Sequence, residues 1–425
     1  MNTMKWELQS MPVDKDWYAV KWISELGLFV AVAWTGSGNR VMTSPDGLTW
    51  TAGSTPADNQ WESLAWSPSL GLLVSAASSG TGNRVMTSSD GINWLSQTTP
   101  AGDNIWAGVV WSAELERFVA VAQSGTGDRV MFSSDGVTWF TQTSAADNNW
   151  VDIIWSPELG LFVAVSWTGS GNRVMTSPDG VSWITRTTPA DNSWVSVTWS
   201  PELSLFVAVS KSGTGNRVMT SPDGITWTPQ TTPADSSWNS VTWSPELRIF
   251  VAVASSGTGN RVMASPDGIH WSLQTTPVDN NWQWVTWSPE LAMFVAVATT
   301  GSGNRVMTST VSCPTDTVWV VGTGCLPRAC TNGTEWLDTC IANHCPANAV
   351  WLDGQCKVSV YFHTLLLGSV VTDGCCVLFV HRIAVPPLCW LAQSAFLVCQ
   401  EQCPRMEVVS RCTAPLREHV RCTIA

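Results

Sequence analysis

Seven arginines and seven aspartates hold fixed places in this 425-residue chain. Arg40, Arg84, Arg129, Arg173, Arg217, Arg261 and Arg305 recur at one spacing, as do Asp14, Asp58, Asp103, Asp147, Asp191, Asp235 and Asp279. Guanidinium and carboxylate groups make strong charge-assisted hydrogen bonds and are natural candidates for binding or catalysis. A single active site, however, needs unlike residues converging from different elements. Seven copies of one residue serve seven copies of one structural bond, and the aspartates, each just before a Trp, read as braces for loop backbone. His270 is the only histidine before residue 313, which excludes a His-based general base or metal cluster there. No cofactor and no metal site is expected in this part of the chain.

Two further positions break the repetition. One reads Trp34, Ser78, Gln123, Trp167, Lys211, Ser255 and Thr299; the other reads Tyr18, Glu62, Ala107, Val151, Val195, Asn239 and Gln283. Recognition is usually built by variation on a fixed scaffold. Trp34, Trp167, Lys211, Gln123, Tyr18 and Glu62 are therefore the expected asymmetric contacts for a protein or glycan. Neutral drift among duplicated repeats would leave the same pattern. A third position carries Glu in six of seven copies, with Ser69 as the exception, and reads as a solvated turn residue.

The scaffold is a repeat. Its signature is the stretch Asn216-Arg217-Val218-Met219-Thr220-Ser221-Pro222-Asp223-Gly224-Ile225-Thr226-Trp227. Asp-Gly between alternating residues signals a tight turn joining two antiparallel strands. That turn recurs at Asp46, Asp90, Asp135, Asp179, Asp223 and Asp267, 44 or 45 residues apart. Strand-type segments at this period predict four-stranded propeller blades. In the fifth unit the strands are expected at Trp194–Trp199, Leu205–Ser210, Arg217–Ser221 and Trp227–Thr231. The openers Trp17, Trp61, Trp106, Trp150, Trp194, Trp238 and Trp282 give seven blades over residues 1–310. The seventh lacks a fourth strand, whereas Trp6 to Asp14 matches Trp227 to Asp235. Pairing of the termini therefore predicts a ring closed by the N-terminal strand, which removes two exposed sheet edges. Three Trp per unit are expected to pack blades face to face. Loops between strands 2 and 3 and between strands 4 and 1 share one face, and this face is the expected binding surface.

The Ser-x-Asp-Gly-x-Thr-Trp units resemble Asp-box repeats, the hairpin signature of sialidase-type and other bacterial and viral propellers. Here Asp and Gly are adjacent, as in Asp46-Gly47, where the usual box has one residue between them. The resemblance covers residues 1–310 and implies that Asp and Ser brace the hairpin while Trp packs beneath the sheet. Asn2 aligns with the box Asp and Ser309 with the box Ser, so a seventh box is expected from both termini. Sialidase kinship would imply an arginine cluster, a Tyr nucleophile with a Glu partner, and an acid/base Asp. Tyr18 is the only tyrosine before residue 311, and no Arg-Ile-Pro lies near the start. The expectation is a non-enzymatic binding or structural scaffold, with a sialidase-like hydrolase as the disfavoured alternative.

The balance of charge points the same way. Residues 1–312 carry 14 Lys+Arg against 25 Asp+Glu, an acidic surface unsuited to nucleic-acid phosphates. All 13 cysteines fall between Cys313 and Cys422. Residues 311–356 contain three Cys-to-Cys units around Trp319, Trp336 and Trp351, a pattern that reads as a disulfide-stapled module, with a zinc site as the rival. Such a module hints at an extracellular setting or a viral particle, although no secretory signal is visible at Met1 to Trp17. Residues 357–425 lack turn logic, as expected of a poorly folded tail or a segment read out of its original frame. Val358 to Val380 is apolar but broken by Thr372-Asp373-Gly374, so a membrane span is not expected.

Overall fold

The computed structural model describes residues 4–99 and 102–310, together with the backbone of short strand segments between 317 and 390. The chain divides into two compact units, Met1–Ser312 and Cys313–Ala425. The first contains seven four-stranded antiparallel sheets, the seven blades, six of them with their strands in sequence order.

The fifth blade stands for all. Trp194–Ser200 pairs with Leu205–Ser210, which pairs with Val218–Ser221, which pairs with Thr228–Gln230. The two ends of this reading differ slightly from expectation: the third strand starts one residue later, and the outer strand is shorter at both ends. Burial falls outward, from a second strand almost wholly covered to an outer strand half in solvent. The run Phe206-Val207-Ala208-Val209 has no polar alternation because both faces of the blade are covered. Phe206 and Ala208 pack in one cluster with Trp194, Trp199, Trp227, Met219 and the previous blade's Val163 and Val165. Val207 and Val209 face the other way, into the next blade's Trp238, Trp243 and Phe250. Each interface thus sets an aromatic face against a valine face. All seven opening tryptophans are fully buried, and burial of one such ring removes about 150–250 Å² from water.

The seventh blade takes its outer strand from the start of the chain. Lys5–Gln9 pairs antiparallel with Val306–Thr310, with Trp6 opposite Ser309 and Leu8 opposite Met307. Trp6 lies 6.3 Å from Phe294, as Trp227 lies 6.2 Å from Phe206. Gln9 Nε2 donates to Thr308 Oγ1 as Gln230 Nε2 does to Thr220 Oγ1. On the other face of that blade, Met293, Val295, Val297 and Val306 share one cluster with Trp17, Trp22, Phe29 and Trp50 of the first.

The Asp-Gly hairpins share one bonding scheme. In the fifth blade Ser221 Oγ donates to Asp223 Oδ1 (2.9 Å) and accepts from Gly224 N (2.8 Å). Asp223 Oδ1 also accepts from Ile225 N and Thr226 N at 2.8 and 2.7 Å, and Trp227 Nε1 donates to Gly224 O at 3.0 Å. Gly224 sits at φ 71°, and a Cβ there would meet Leu161 Cδ2 of the neighbouring blade at 2.9 Å, so only glycine fits. In the seventh blade Ser309 Oγ and Trp6 Nε1 have no hydrogen-bond partner among the described residues, which do not include Asn2.

Five of the six glutamates expected to be solvated are instead blade-to-blade ties, while Glu25 is exposed as expected. Trp22 Nε1 donates to Glu290, Trp155 to Glu114, Trp199 to Glu158, Trp243 to Glu202 and Trp287 to Glu246, at 2.5–2.7 Å. Each carboxylate reaches the indole of the following blade, the last passing from the seventh to the first. The turn looked solvated in sequence because its partner lies 41 residues on.

In the second unit, Thr317–Val320 pairs with Gly324–Pro327 and Ala349–Leu352 with Gln355–Val358, which places Trp319 opposite Cys325 and Trp351 opposite Cys356. The disulfide and zinc alternatives, and the fold of most of 357–425, lie outside the described residues. Among the described residues no helix is long and apolar enough to cross a membrane.

Candidate functional site at the channel mouth

The first strand of every blade carries a bulge directly after its opening Trp. Trp17 pairs with Ala33 but Ala19 pairs with Val32, so Tyr18 is the extra residue; the same shift recurs in all seven blades. A bulge re-aims the side chain it carries. Here Tyr18, Ala107, Val151, Val195, Asn239 and Gln283 all line one cavity, joined by Gln123, Trp167, Lys211 and Trp284. Both varying positions therefore meet at one end of the central channel.

Of the six residues singled out in the sequence, Tyr18, Gln123, Trp167 and Lys211 line this cavity. Trp34 stacks on Tyr18 with ring centroids 4.2 Å apart. Glu62 is buried at 2 % exposure beside Tyr18, Trp34 and Ser78. Lys211 Nζ lies over the Trp167 ring, 5.7 Å from its centroid, and its charge acts on Glu62 from across the mouth.

The repeated arginines fix the backbone that presents these side chains. Arg217 Nε donates to Gly213 O and its Nη1 to Lys211 O; Arg173 holds Gly169 O and Trp167 O in the same way. Arg40 bonds the carbonyls of Gly36 and Trp34. The repeated aspartates clamp the same loop from the far side, Asp235 Oδ1 accepting from Gly215 N at 2.7 Å and Asp14 Oδ1 from Gly303 N at 2.7 Å. Arg305 departs from the scheme by turning Nη1 to Asp16 Oδ1 at 2.8 Å.

Sequence reasoning missed Asp152 and Lys21. Asp152 holds a place taken elsewhere by Ala19, Ser63, Gly108, Ser196, Ser240 and Trp284, and Lys21 is the one charge among Ala65, Val110, Ile154, Thr198, Thr242 and Thr286. That singularity was the available signal. Asp152 Oδ1 accepts from Ile153 N and Oδ2 from Val197 N of the next blade, both at 2.9 Å; Ser196 and Ser240 make the equivalent tie to Val241 N and Val285 N. Burial pushes the Asp152 carboxyl up to about 6 against those amides and the Lys21 charge. Burial likewise pushes Glu62 up to about 7, despite Ser78, Trp34, Tyr18 and the Lys211 charge. The Tyr18 phenol goes well above its usual range, through burial first and the Glu62 charge second. Burial lowers Lys21 and Lys211, opposed by Asp152 and Glu62 respectively. Desolvation disfavours every charged form here. Among the described residues Asn239 Oδ1 is buried with no hydrogen-bond partner; Glu62 Oε2 and Trp34 Nε1 make no hydrogen bond of good geometry, but the Trp34, Ser78 and Tyr18 side chains stand close enough to the Glu62 carboxyl to oppose its burial.

The cavity itself encloses about 20 Å³, close to the room one water needs. A sugar ring or a nucleotide does not fit inside it, so a larger ligand would meet the mouth as a surface. Among the described residues no group of three or more His, Cys, Asp or Glu is placed to hold a metal ion.

No protein-family model matches the chain, and no curated protein matches it. Solved structures do. A streptogramin B lyase is 10% identical with a TM-score of 0.62, over 73% of this chain and 98% of that one. A catalytically inactive virginiamycin B lyase from Staphylococcus aureus, bound to quinupristin, is 10% identical with a TM-score of 0.62, over 73% of this chain and 100% of that one. The β-propeller domain of Cps50 (Swd1) from Myceliophteria thermophila is 14% identical with a TM-score of 0.54, over 72% and 100%. These likenesses carry fold and not chemistry, and what they establish is an all-β, seven-bladed β-propeller.

Proposed function

We propose that the protein is a non-enzymatic binding scaffold that recognises a protein or glycan through the face bearing the strand 2–3 and strand 4–1 loops. The observation that carries this reading is convergence: unlike residues from different blades meet at one mouth. The strand 1–2 turn on the other face also varies, from Gly27, Gly71 and Gly160 to Glu116, Ser204, Arg248 and Ala292, but those side chains do not gather at one point. Stacked Tyr18 and Trp34, with Trp167 under Lys211, offer the flat aromatic surfaces that sugars and peptides use. The Cps50 domain and a propeller from the mitotic checkpoint complex, 15% identical with a TM-score of 0.55 over 72% of this chain and 93% of that one, keep protein binding in view.

Two finer readings belong with it. The hairpins are Asp-boxes, supported by the Ser–Asp–Gly–Trp bonds repeated in six blades. The ring is closed by the N-terminal strand, supported by its register on Val306–Thr310.

One observation favours the sialidase-like alternative, since Tyr18 lies beside Glu62. Against it, burial raises the phenol, which disfavours the phenolate nucleophile, and the repeated arginines are committed to loop carbonyls. The cavity is also too small for a pyranose. The test is a glycan array and an affinity capture with the full chain and with Trp34→Ala/Trp167→Ala, alongside a hydrolase screen on a generic sialoside. The proposal expects a ligand lost in the double variant and no hydrolysis. Undiminished binding by the double variant would overturn it.

A further inference from the structure

The cavity at the channel mouth brings together unspent donors and unspent acceptors. Asn239 gives its amide nitrogen to Trp282 O at 2.7 Å, which fixes which end of the amide is which. Its Oδ1 has no partner among the described residues, and the residue is 5 % exposed. Lys211 is hydrogen-bonded among the described residues through its backbone; its Nζ lies over the Trp167 ring, 5.7 Å from the centroid. Gln123 likewise spends its backbone on Ile105 and Arg129. All four side chains, Asn239, Lys211, Gln123 and Trp167, line the one cavity of about 20 Å³.

That combination selects a chemical group. A carboxylate would answer Lys211 but has no hydrogen for Asn239 Oδ1, and an acidic ring repels it. An ammonium has hydrogens but no lone pair, and it meets the like charge of Lys211. A hydroxyl gives one hydrogen and offers two lone pairs. It makes the bonds a water makes, so it can replace one without loss. A peptide amide carries its donor and acceptor on separate atoms, too much for a space of this size. Tyr18, Trp167 and Trp284 also line the cavity and offer flat apolar surfaces for what lies outside it. We propose that the mouth binds a neutral saccharide by taking in one of its hydroxyls, which donates to Asn239 Oδ1 and accepts from Lys211 Nζ, while the sugar ring lies outside on the aromatic side chains. This rests on the recognition reading above and deepens it, choosing the glycan over the protein and a neutral sugar over an acidic one.

The test titrates the full chain with the methyl glycosides of galactose, mannose, glucose and fucose, followed by tryptophan fluorescence. Galacturonate, glucosamine and sialyllactose serve as charged comparisons. At least one neutral glycoside is expected to bind, and every charged sugar to bind more weakly. The monodeoxy analogues of the glycoside that binds are then compared. One of them is expected to lose about tenfold in affinity, the worth of a hydrogen bond from a charged donor, and the others much less. Lys211→Met should lose about the same factor for the parent glycoside and nothing further for that analogue. Lys211→Gln, which keeps a donor, should retain more affinity than Lys211→Met. The deoxy series on the wild type decides the matter even if a variant does not fold. Tighter binding of a charged sugar, an equal loss for every deoxy analogue, or no binding of any neutral glycoside overturns the proposal. In the last case a captured protein partner that is lost with Trp34→Ala/Trp167→Ala would preserve the recognition reading, whereas its indifference to that change would remove both.

Discussion

Replacing Ser69 by Glu should make this protein more stable. Five blades carry a glutamate that accepts from the indole of the next blade at 2.5–2.7 Å. Ser69 is too short to do so, and Trp111 Nε1 is left buried without a partner among the described residues. The turn that aims the glutamate is nevertheless in place, because Leu70 N donates to Ser67 Oγ at 3.2 Å, as Leu203 N does to Ser200 Oγ at 3.2 Å. Blade 1 shows what that serine does. There Ile23 replaces it, the turn closes through Leu26 N to Ile23 O, and Trp66 Nε1 has no partner among the described residues although Glu25 is present. A hydrogen bond to a charged group is worth about 1.5–3 kcal/mol, and ordering a glutamate side chain costs roughly 1.5–2 kcal/mol. Ser69→Glu is thus expected to gain about 0.5 kcal/mol, read as a slightly higher urea midpoint with an unchanged slope. Glu202→Ala should lose about 1–3 kcal/mol by orphaning Trp243, while Glu25→Ala changes little. A midpoint that fails to rise in Ser69→Glu, with Glu25→Ala as costly as Glu202→Ala, would refute the reasoning.

Stability should peak near pH 4–5. In Asp90, Asp179 and Asp267 partial burial pushes the carboxyl up, but amide and side-chain donors win and hold it down to about 2. Their contribution is present above the unfolded value of about 4 and lost as pH falls towards 2. Glu62 and Asp152 act with the opposite sign: folded values of about 7 and about 6 mean a contribution full below about 4 and lost as pH rises through 6–7. A Tm profile against pH checks this, and Glu62→Gln should flatten the fall between pH 5 and 7; a maximum at pH 8 would contradict it. Arg248 sits at φ 51° where blades 1, 2 and 4 have Gly27, Gly71 and Gly160 at 57–61°. Arg248→Gly should therefore stabilise by up to about 1 kcal/mol, measured by urea unfolding.

Period and pattern carried most of the fold. Phe-Val-Ala-Val announced a strand covered on both faces, and Trp6 to Asp14 announced the outer strand of the seventh blade. The six singled-out residues do gather at one end of the channel, because equal repeat positions lie at equal heights around a symmetric ring. What could not be read was direction across the channel. Lys21 and Asp152, or Lys211 and Glu62, approach only through the ring's diameter, which no spacing along the chain encodes. Burial of Glu62 was equally hidden, since a glutamate after a strand-opening Trp looks like a surface residue until the bulge turns it inward. The Glu–Trp ties escaped for a related reason, their partners being one blade away and reached through turns that read as solvent-facing.

The central claim is that recognition belongs to the face of unlike residues and not to the face of the repeated hairpins, which exposes Leu48, Ile92, Val137, Ile225 and Ile269 in near-identical settings. A photo-reactive residue placed at Gln123 or at Ile225, followed by irradiation with the ligand present, distinguishes the two faces directly. The account predicts covalent capture from position 123 and none from 225. Capture from 225 alone would contradict it.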